Sequence, residues 1–243
     1  MTARERADRL LVARGLFESR AKAQAAIAAG LVTADDRPVQ KPSNELPLDA
    51  RIEAAAAFPW VSRGGVKLAH ALDALAVDPA GKTCLDVGAS TGGFTEVLLA
   101  RGARRVFAVD VGTHQLHARL RERGEVVSLE ETDIRTLDRA RIDTAPDLVV
   151  VDVSFISLRL VLPAALALAA PRAELVALVK PQFEAPRRHR KRGVVRDAGV
   201  HAAVCADMEA FVASLGWSVI ATVPSPIEGG EGNREFFIGA RRG

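Results

Sequence analysis

The stretch LDVGASTGGFT, from Leu85 to Thr95, ends an apolar run and opens a segment with helical spacing. Glycines at such a strand-to-helix turn let the backbone turn tightly and approach a ligand closely. The G-x-G-x-x-G spacing of dinucleotide-binding proteins is absent, and no Lys-Ser/Thr pair of a phosphate-binding loop follows. Because a glycine-rich turn alone fits a dinucleotide, a phosphate or no ligand, the residues around it must decide between these.

The chain from residue 83 onward alternates between strand and helix patterns. Runs rich in Val, Leu and Ile predict strands buried on both faces, at Thr83–Val87, Val106–Asp110, Val126–Leu129, Leu148–Asp152, Leu175–Val179, Ser218–Val223 and Phe236–Gly239. Candidate helices separate them, at Thr95–Arg101, Gln115–Glu122, Leu158–Ala170 and Ala202–Leu215. This alternation predicts an α/β, Rossmann-like fold with a mostly parallel seven-stranded sheet. The last two strands lie close in sequence, which predicts a final hairpin at the sheet edge.

Acidic residues at the ends of the first three strands favour one class of ligand. Asp86 would repel a pyrophosphate but suits the ammonium end of a methionine moiety. Asp110 lies where an acid accepts hydrogen bonds from ribose hydroxyls, and Asp133 is placed to receive an adenine amino group. Together these acids resemble the S-adenosylmethionine pocket of Rossmann-like class I methyltransferases. The candidate cofactor-binding residues are Asp86, Gly88, Ser90, Gly92, Gly93, Phe94, Asp110, Asp133 and Asp152.

Residues 1–58 have a different character and predict a small α+β domain. Helical spacing over Ala7–Leu16 and Ser19–Ala29 precedes short strand-like pieces, with Ser19 as an N-cap and Gly30 as a stop. Basic residues outnumber acids along these helices, which is typical either of a surface for a phosphate backbone or of an ordinary solvated helix face. The pattern SRAKAQAAIAAGLV from Ser19, followed by KPS at 41–43, resembles the S-four-like RNA-binding module first named for a ribosomal protein.

That resemblance implies that the helices and the following turn lie on folded RNA. The RNA-contact candidates in this domain are Arg4, Arg6, Arg14, Arg20, Lys22 and Lys41. Residues 59–63 are expected to link it to a methyltransferase domain over 64–243, with Trp60 in a packed hinge or in the core. Arg63, Ser154 and Phe155 are further RNA-contact candidates. Phe155 is interpreted as a stacking platform for a displaced base or as a core residue under the following helix.

The atom that receives the methyl group is inferred by elimination. The fourth strand ends in Asp152-Val153-Ser154-Phe155, without the Asn/Asp-Pro-Pro-aromatic pattern usual for methylation of exocyclic base nitrogens. Carbon methylation of pyrimidines usually needs a cysteine nucleophile, but Cys84 and Cys205 lie inside a strand and a helix. Oxygen remains, and a ribose 2′-hydroxyl needs help with its proton.

Candidate catalytic side chains follow neighbouring strands of the predicted sheet. Lys180 ends the fifth strand beside Asp152 of the fourth, and such a fold places its site at these strand ends. A lysine with a depressed pKa can accept the proton, and a second lysine, Lys67, lowers the proton affinity of the first. Glu235 is expected to orient Lys67 or the ribose. The neighbouring acids Glu228 and Glu231 compete for that place, although the Gly-Asn-x-Glu context favours Glu235.

Five motifs in order, SRGGVKL, DVGASTGGFT, DVSFISL, LVKPQFE and GNREFF, make the chain resemble the TlyA (haemolysin-A-like) family of rRNA methyltransferases. The resemblance covers nearly the whole chain and implies an S-four-like domain joined to an FtsJ-like methyltransferase domain. It also implies methylation of cytidine 2′-oxygens, with ribosomal RNA or a ribosomal subunit as partner. The family's Lys-Asp-Lys-Glu set corresponds to Lys67, Asp152, Lys180 and Glu235.

Composition is that of an ordinary globular protein, with 49% hydrophobic and 26% charged residues and a net charge of +3. A charged N-terminus does not fit a secretory signal, and the longest uncharged apolar stretch, Leu160–Ala170, is too short to span a bilayer. A cytoplasmic protein without a membrane or metal partner is therefore expected. The basic run at 187–192 predicts a solvated loop near RNA phosphates. The alternative functions are a non-enzymatic RNA-binding or ribosome-assembly factor and a haemolysin-like membrane-active protein.

Overall fold

A computed structural model describes residues 3–190, 192–229 and 232–243. The chain divides into two compact units, Met1–Pro59 and Trp60–Gly243. Each unit has a hydrophobic core of its own. The boundaries expected from the sequence, at 58 and 63, stay a prediction. Within the described ranges, no helix combines the length and the apolar character needed to cross a membrane.

The first unit consists of two helices and two small antiparallel sheets. Helices α1 (Ala7–Ala13) and α2 (Arg20–Ala28) share a buried apolar core. The side chain of Ser19 caps α2 by accepting a hydrogen bond from the Lys22 backbone N–H at 3.3 Å, as predicted. The strands are β1 (Arg4–Arg6), β2 (Val32–Ala34), β3 (Arg37–Pro38), β4 (Glu45–Pro47) and β5 (Ile52–Ala54). Strand β1 pairs with β4, and β2 pairs with both β3 and β5.

The second unit contains the predicted seven-stranded sheet, in the order β11-β12-β10-β9-β6-β7-β8. Its strands are β6 (Thr83–Val87), β7 (Arg105–Val109), β8 (Val126–Leu129), β9 (Leu148–Val151), β10 (Ala173–Val179), β11 (Ser218–Pro224) and β12 (Phe236–Arg242). Strands β6 to β10 run parallel, whereas β12 is antiparallel to both of its neighbours. The mostly parallel sheet and the final hairpin at its edge are therefore confirmed.

Helices cover both faces of this sheet. On one face, α3 (Arg63–Ala74), α4 (Gly93–Ala100) and α5 (Ala118–Arg121) pack on one set of alternate strand residues, such as Cys84 and Val106. On the other, α6 (Leu158–Leu168) and α8 (Ala198–Ser214) pack on the opposite set, such as Leu85 and Phe107. The short helix α7 (Pro181–Glu184) follows β10. The result is a sheet buried on both faces, as its continuous apolar strands require.

Several helices differ from the sequence prediction: α7 was not predicted, α8 begins at Ala198 and not at Ala202, and α3 and α5 differ as follows. Helix α3 was not predicted, although it carries Lys67 and buries Leu68 and Leu72. Helix α5 is shorter than the predicted Gln115–Glu122, because the backbone N–H groups of Gln115 and Leu116 donate to Glu130 Oε1 at 2.6 and 3.0 Å. Glu130, in the loop after β8, thus accepts the backbone hydrogen bonds that a first helical turn would otherwise have formed.

The sheet reverses its direction of growth between β6 and β9. The chain passes from β6 to β7 and β8 on one side, and then returns to place β9 on the other side of β6. Such a switch point opens a crevice beyond the carboxyl ends of the two strands, where α/β folds bind their ligands.

Candidate active site

A cavity of about 490 Å³ lies at this carboxyl edge of the sheet. Five residues of the predicted cofactor set line it, namely Gly88, Ser90, Asp110, Asp133 and Asp152. Other lining residues were not singled out from the sequence, among them Val111, Gln115 and Arg135, which lie within five positions of Asp110 or Asp133 along the chain. Their proximity to Asp110 and Asp133 was the available signal.

The glycines of the 85–95 turn serve different purposes. Gly88 has φ of 85° and comes so close to β9 that a Cβ atom would lie 2.5 Å from the carbonyl oxygen of Asp152. Gly93 lets α4 approach α3, since a Cβ there would lie 2.2 Å from Ser62 Oγ. Phe94 is buried, and its ring centroid lies 6.2 Å from that of Phe237. Gly93 and Phe94 therefore shape the turn and its packing, as does Gly92, where a Cβ would lie 2.4 Å from Leu120 Cδ1, whereas Gly88 borders the cavity.

Asp86 is a fully buried acid at the end of β6. Thr95 Oγ1 donates a hydrogen bond to Asp86 Oδ2 at 2.6 Å, whereas Oδ1 has no hydrogen-bond partner among the described residues. Burial is the main cause that raises the pKa of Asp86 to about 7, and the nearby charge of Asp152 adds to it. A buried carboxylate with a free oxygen fits a cationic ligand group such as an ammonium.

The other two predicted cofactor acids are already engaged. Asp110 accepts hydrogen bonds from the backbone N–H groups of Ser90 at 2.8 Å and Gly112 at 2.7 Å, which tie two loops together. Asp133 pairs with Arg135, whose side chain reaches it at 2.5 Å. This pairing lowers the pKa of Asp133. Asp110 thus orders the rim of the cavity, and an adenine amino group would have to share Asp133 with Arg135.

The four predicted catalytic side chains form two ion pairs. Lys67 Nζ lies 2.5 Å from Glu235 Oε2, and both side chains are buried. Lys180 Nζ lies 2.6 Å from Asp152 Oδ1, in an ion pair that lacks hydrogen-bond geometry, and it donates to Ser154 Oγ at 2.8 Å. The Ser154 contact was not predicted.

Sheet register explains why the two pairs are neighbours. Val179 of β10 pairs with Phe236 of β12 in antiparallel register. Lys180 follows the first of these residues and Glu235 precedes the second, so both lie at the same end of the same strand pair. The backbone carbonyl oxygen of the competing acid Glu228 accepts a hydrogen bond from Arg63 Nη2 at 2.5 Å. Glu231, the other competitor, lies outside the described residues.

Phe155 lies at the mouth of the cavity and not under the following helix. Its side chain is 91% exposed, its φ is 67°, and it lines the cavity. Its ring centroid is 5.3 Å from that of Phe183, the only described aromatic ring in contact with it. A non-glycine residue at positive φ is uncommon and often marks a functional position. The exposed ring is free to stack on a planar group.

The RNA-contact candidates of the first unit are mostly held by internal contacts. Arg6 and Arg20 both donate to the buried carboxylate of Asp8, at 3.0 and 2.8 Å, and still expose part of their side chains. Arg14 donates hydrogen bonds to the carbonyl oxygens of Leu48 and Ala50, and these bonds give it a structural role within the first unit. The remaining candidates differ in their contacts: Arg4 donates to the Glu45 carbonyl, Lys22 pairs with Glu18, and Lys41 is exposed.

Comparisons with known proteins agree with this architecture. The FtsJ-like methyltransferase family matches residues 60–242, and the S4 domain matches residues 5–52. The chain is 45% identical to the 16S/23S rRNA (cytidine-2′-O)-methyltransferase TlyA of Mycobacterium tuberculosis, over 99% of this chain and 91% of the relative. It is 36% identical to Hemolysin A of Brachyspira hyodysenteriae, over 95% of this chain and 97% of the relative. A solved structure described as a hemolysin from Streptococcus thermophilus matches with a TM-score of 0.80 and 39% identity, over 100% of this chain and 90% of that one. The predicted resemblance is confirmed: this chain belongs to the FtsJ-like methyltransferase family and carries an S4 domain at its N-terminus.

Proposed function

We propose that this chain transfers a methyl group from S-adenosylmethionine to the 2′-oxygen of a cytidine in ribosomal RNA. The observation that carries the proposal is the Lys180–Asp152 ion pair, with its 2.6 Å contact at the edge of a ligand-sized cavity. The full-length similarity to a relative named for this reaction supports the choice of substrate. The S4 domain supports an RNA substrate independently.

Acids in and behind the cavity suit the groups of the proposed cofactor, with Asp110 and Asp133 lining the cavity and Asp86 fully buried outside its lining. The free Oδ1 of buried Asp86 suits the ammonium of the methionine moiety. Each carboxylate oxygen of Asp110 accepts one backbone hydrogen bond and keeps a further lone pair that can accept one from a ribose hydroxyl. Asp133 can accept a hydrogen bond from the adenine amino group if it gives up one contact with Arg135. S-adenosylmethionine, when bound, supplies a methyl group on a positively charged sulfur that is a good leaving group.

Lys180 is proposed to act as a neutral amine: it first loses its own proton to solvent, and it then takes the proton from the 2′-hydroxyl as the oxygen bonds to the methyl carbon and the bond from that carbon to sulfur breaks. Asp152 and Ser154 hold its Nζ from two directions, at 2.6 and 2.8 Å, so that the amine has a fixed position. Such alignment supplies much of the rate when the leaving group is already good, and the base supplies the rest. Lys67 and Glu235 pair with each other and are proposed to position the ribose as a unit.

The exposed ring of Phe155 is proposed to support the target nucleotide. A ribose within folded RNA reaches an enclosed site only when its nucleotide leaves the stack, and the displaced base needs a surface on which to stack. The S4 domain is proposed to supply affinity for the RNA and not chemistry.

The test is methyl transfer from labelled S-adenosylmethionine to unmethylated rRNA, followed by identification of the modified nucleoside. We expect 2′-O-methylcytidine. Lys180→Ala is expected to lower single-turnover rates by about 100-fold or more, the usual scale for a general base. Lys180→Arg should not restore them, because arginine keeps its proton at neutral pH.

Lys82→Arg is the matched control for this substitution. Lys82 also forms an ion pair, with Glu174, but it precedes β6 at the opposite edge of the sheet. Near-normal turnover in Lys180→Arg would remove the base role and leave Lys180 as a positioning cation. Tight rRNA binding by the wild type without any methyl transfer would support a non-enzymatic RNA-binding factor instead.

A further inference from the structure

A short basic segment follows the Lys180 motif, and the mechanism above does not use it. We call the described residues 186–190 and 192 the basic loop. It contains four arginines and a histidine but no acid, namely Arg187, Arg188, His189, Arg190 and Arg192. Residues 187–189 form one turn of 3₁₀ helix.

One end of the basic loop is fixed beside the proposed site. Glu184, the last residue of α7, accepts hydrogen bonds from Ser157 Oγ at 2.5 Å and from the Leu158 backbone N–H at 2.8 Å. These bonds hold α7 against the first turn of α6. The preceding residue, Phe183, contacts the exposed ring of Phe155. The basic loop therefore starts next to the aromatic surface at the cavity mouth.

The other end is fixed beside Glu235. Asn233 Oδ1 accepts a hydrogen bond from the Val195 N–H at 3.2 Å, and Asn233 Nδ2 donates to the Gly193 carbonyl oxygen at 3.2 Å. Asn233 is buried and lies two residues before Glu235. Both ends of the basic loop are thus anchored to segments that carry site residues, one segment leading from Phe155 and the other leading to Glu235.

The charges of the basic loop lack carboxylate partners. Some exposed arginines of this unit pair with acids, as Arg101 does with Asp73 and Arg123 with Glu125, whereas others, such as Arg139, form no ion pair with a described residue but donate to a carbonyl oxygen. In the described part of the chain, none of the four loop arginines forms such a pair. Arg190 donates to the Ala185 carbonyl oxygen and so braces the loop internally.

The remaining three arginines, Arg187, Arg188 and Arg192, are exposed. Among the described residues, the one hydrogen bond of the Arg188 side chain is from its Nε to His189 Nε2, at 3.1 Å. A group of unpaired guanidinium groups on an anchored loop has donors available for phosphate oxygens, for which arginine is well suited.

We propose that Arg187, Arg188 and Arg192 bind phosphates of the RNA strand that flanks the target nucleotide. The inference rests on the proposed rRNA substrate and assigns a second RNA-binding surface, separate from the S4 domain, at the rim of the active site. These contacts position the strand while Phe155 receives the displaced base. Phosphate contacts of this kind add affinity and salt dependence but no sequence preference.

The test compares two triple variants of the full-length protein. The first is Arg187→Gln/Arg188→Gln/Arg192→Gln. The control is Arg101→Gln/Arg123→Gln/Arg172→Gln, which removes the same charge at the opposite edge of the sheet, next to the ends of α4 and the starts of β8 and β10. Arg190 is left intact because it braces the loop. The probe is unmethylated 16S and 23S rRNA transcribed in vitro, and affinity is measured over a series of KCl concentrations.

The loop variant is expected to bind rRNA at least about tenfold more weakly than the control at low salt. The slope of log K against log salt should fall by about 2, because each phosphate of a single strand that a cation neutralises adds about 0.7 to the slope. Affinity for S-adenosylmethionine should not change, and turnover at saturating rRNA should change less than kcat/KM.

Equal rRNA affinity and equal salt slope in the two triple variants would overturn the proposal. If the wild type still methylated rRNA, the proposed function would be unaffected by that result. Failure of the wild type to methylate or bind rRNA would instead overturn the proposed function itself. Loss of binding to anionic phospholipid vesicles, with rRNA binding unchanged, would also contradict the proposal, because it would identify a membrane surface as the partner.

Discussion

Binding of S-adenosylmethionine is expected to weaken as the pH falls below about 7, because Asp86 must be ionised to pair with the ammonium. Burial raises the pKa of this carboxyl to about 7 in the free protein. A bound cation favours the ionised form, so binding below that pH must release the proton. With a pKa of about 7, the ionised fraction is about one half at pH 7 and about 3% at pH 5.5. Affinity should therefore fall about 15-fold between about pH 7 and about pH 5.5.

Titration calorimetry in buffers of different ionisation enthalpy measures both the affinity and the released proton. Asp86→Asn is the control, because asparagine keeps an acceptor for the Thr95 hydroxyl but does not titrate. This variant should bind more weakly than the wild type at pH 7 and show almost no dependence on pH in this range. The amino group of the cofactor titrates in the same way with both proteins. The ratio of the wild-type affinity to the variant affinity at each pH therefore reports the titration of Asp86 alone. A wild-type affinity with the same pH profile as the variant would refute this account of the buried acid.

Three further outcomes are expected. A carboxyl with a raised folded-state pKa contributes stability at low pH and loses it as the pH rises through about 7; without cofactor, Asp86→Asn should therefore gain about 2–4 kcal/mol relative to the wild type between about pH 5 and about pH 8, measured by urea unfolding. Phe155→Ala should lower methylation but leave cofactor affinity and melting temperature nearly unchanged, since the ring is 91% exposed; a large loss of stability would assign the ring to the core. Removal of residues 1–58 should weaken rRNA binding and reduce its salt slope, and an unchanged slope in filter binding would give the S4 domain another role.

Much of the fold follows from the sequence because most strands of the large sheet are short runs rich in Val, Leu, Ile and Phe. Strands β6 and β8 have the predicted bounds, and the remaining strands of the large sheet differ mainly at their ends. Helix α3 was missed because two glycines near its start, Gly64 and Gly65, weaken the helical pattern. Those glycines are explained by packing: a Cβ on Gly65 would lie 2.3 Å from the Trp60 ring. Such a close approach depends on tertiary structure and leaves no periodic signal.

The candidate site was partly predictable for a topological reason. Residues that follow parallel strands meet at one edge, so the order of strands brings Asp152 and Lys180 together. The partners of the cofactor acids were not predictable, because they depend on the directions of side chains. Arg135 turns back onto Asp133, and Asp110 accepts hydrogen bonds from the backbone N–H groups of Ser90 and Gly112. Spacing along the chain does not encode these directions.

The central claim is tested most directly by mapping ribose methylation on 16S and 23S rRNA from cells with and without the gene for this chain. The gene-lacking cells are complemented with the wild type, with Lys180→Arg or with Lys82→Arg. The account predicts at least one cytidine whose 2′-O-methylation disappears without the gene and returns with the wild type and Lys82→Arg, but not with Lys180→Arg. Identical ribose methylation in cells with and without the gene, or a difference confined to base methylation, would contradict it.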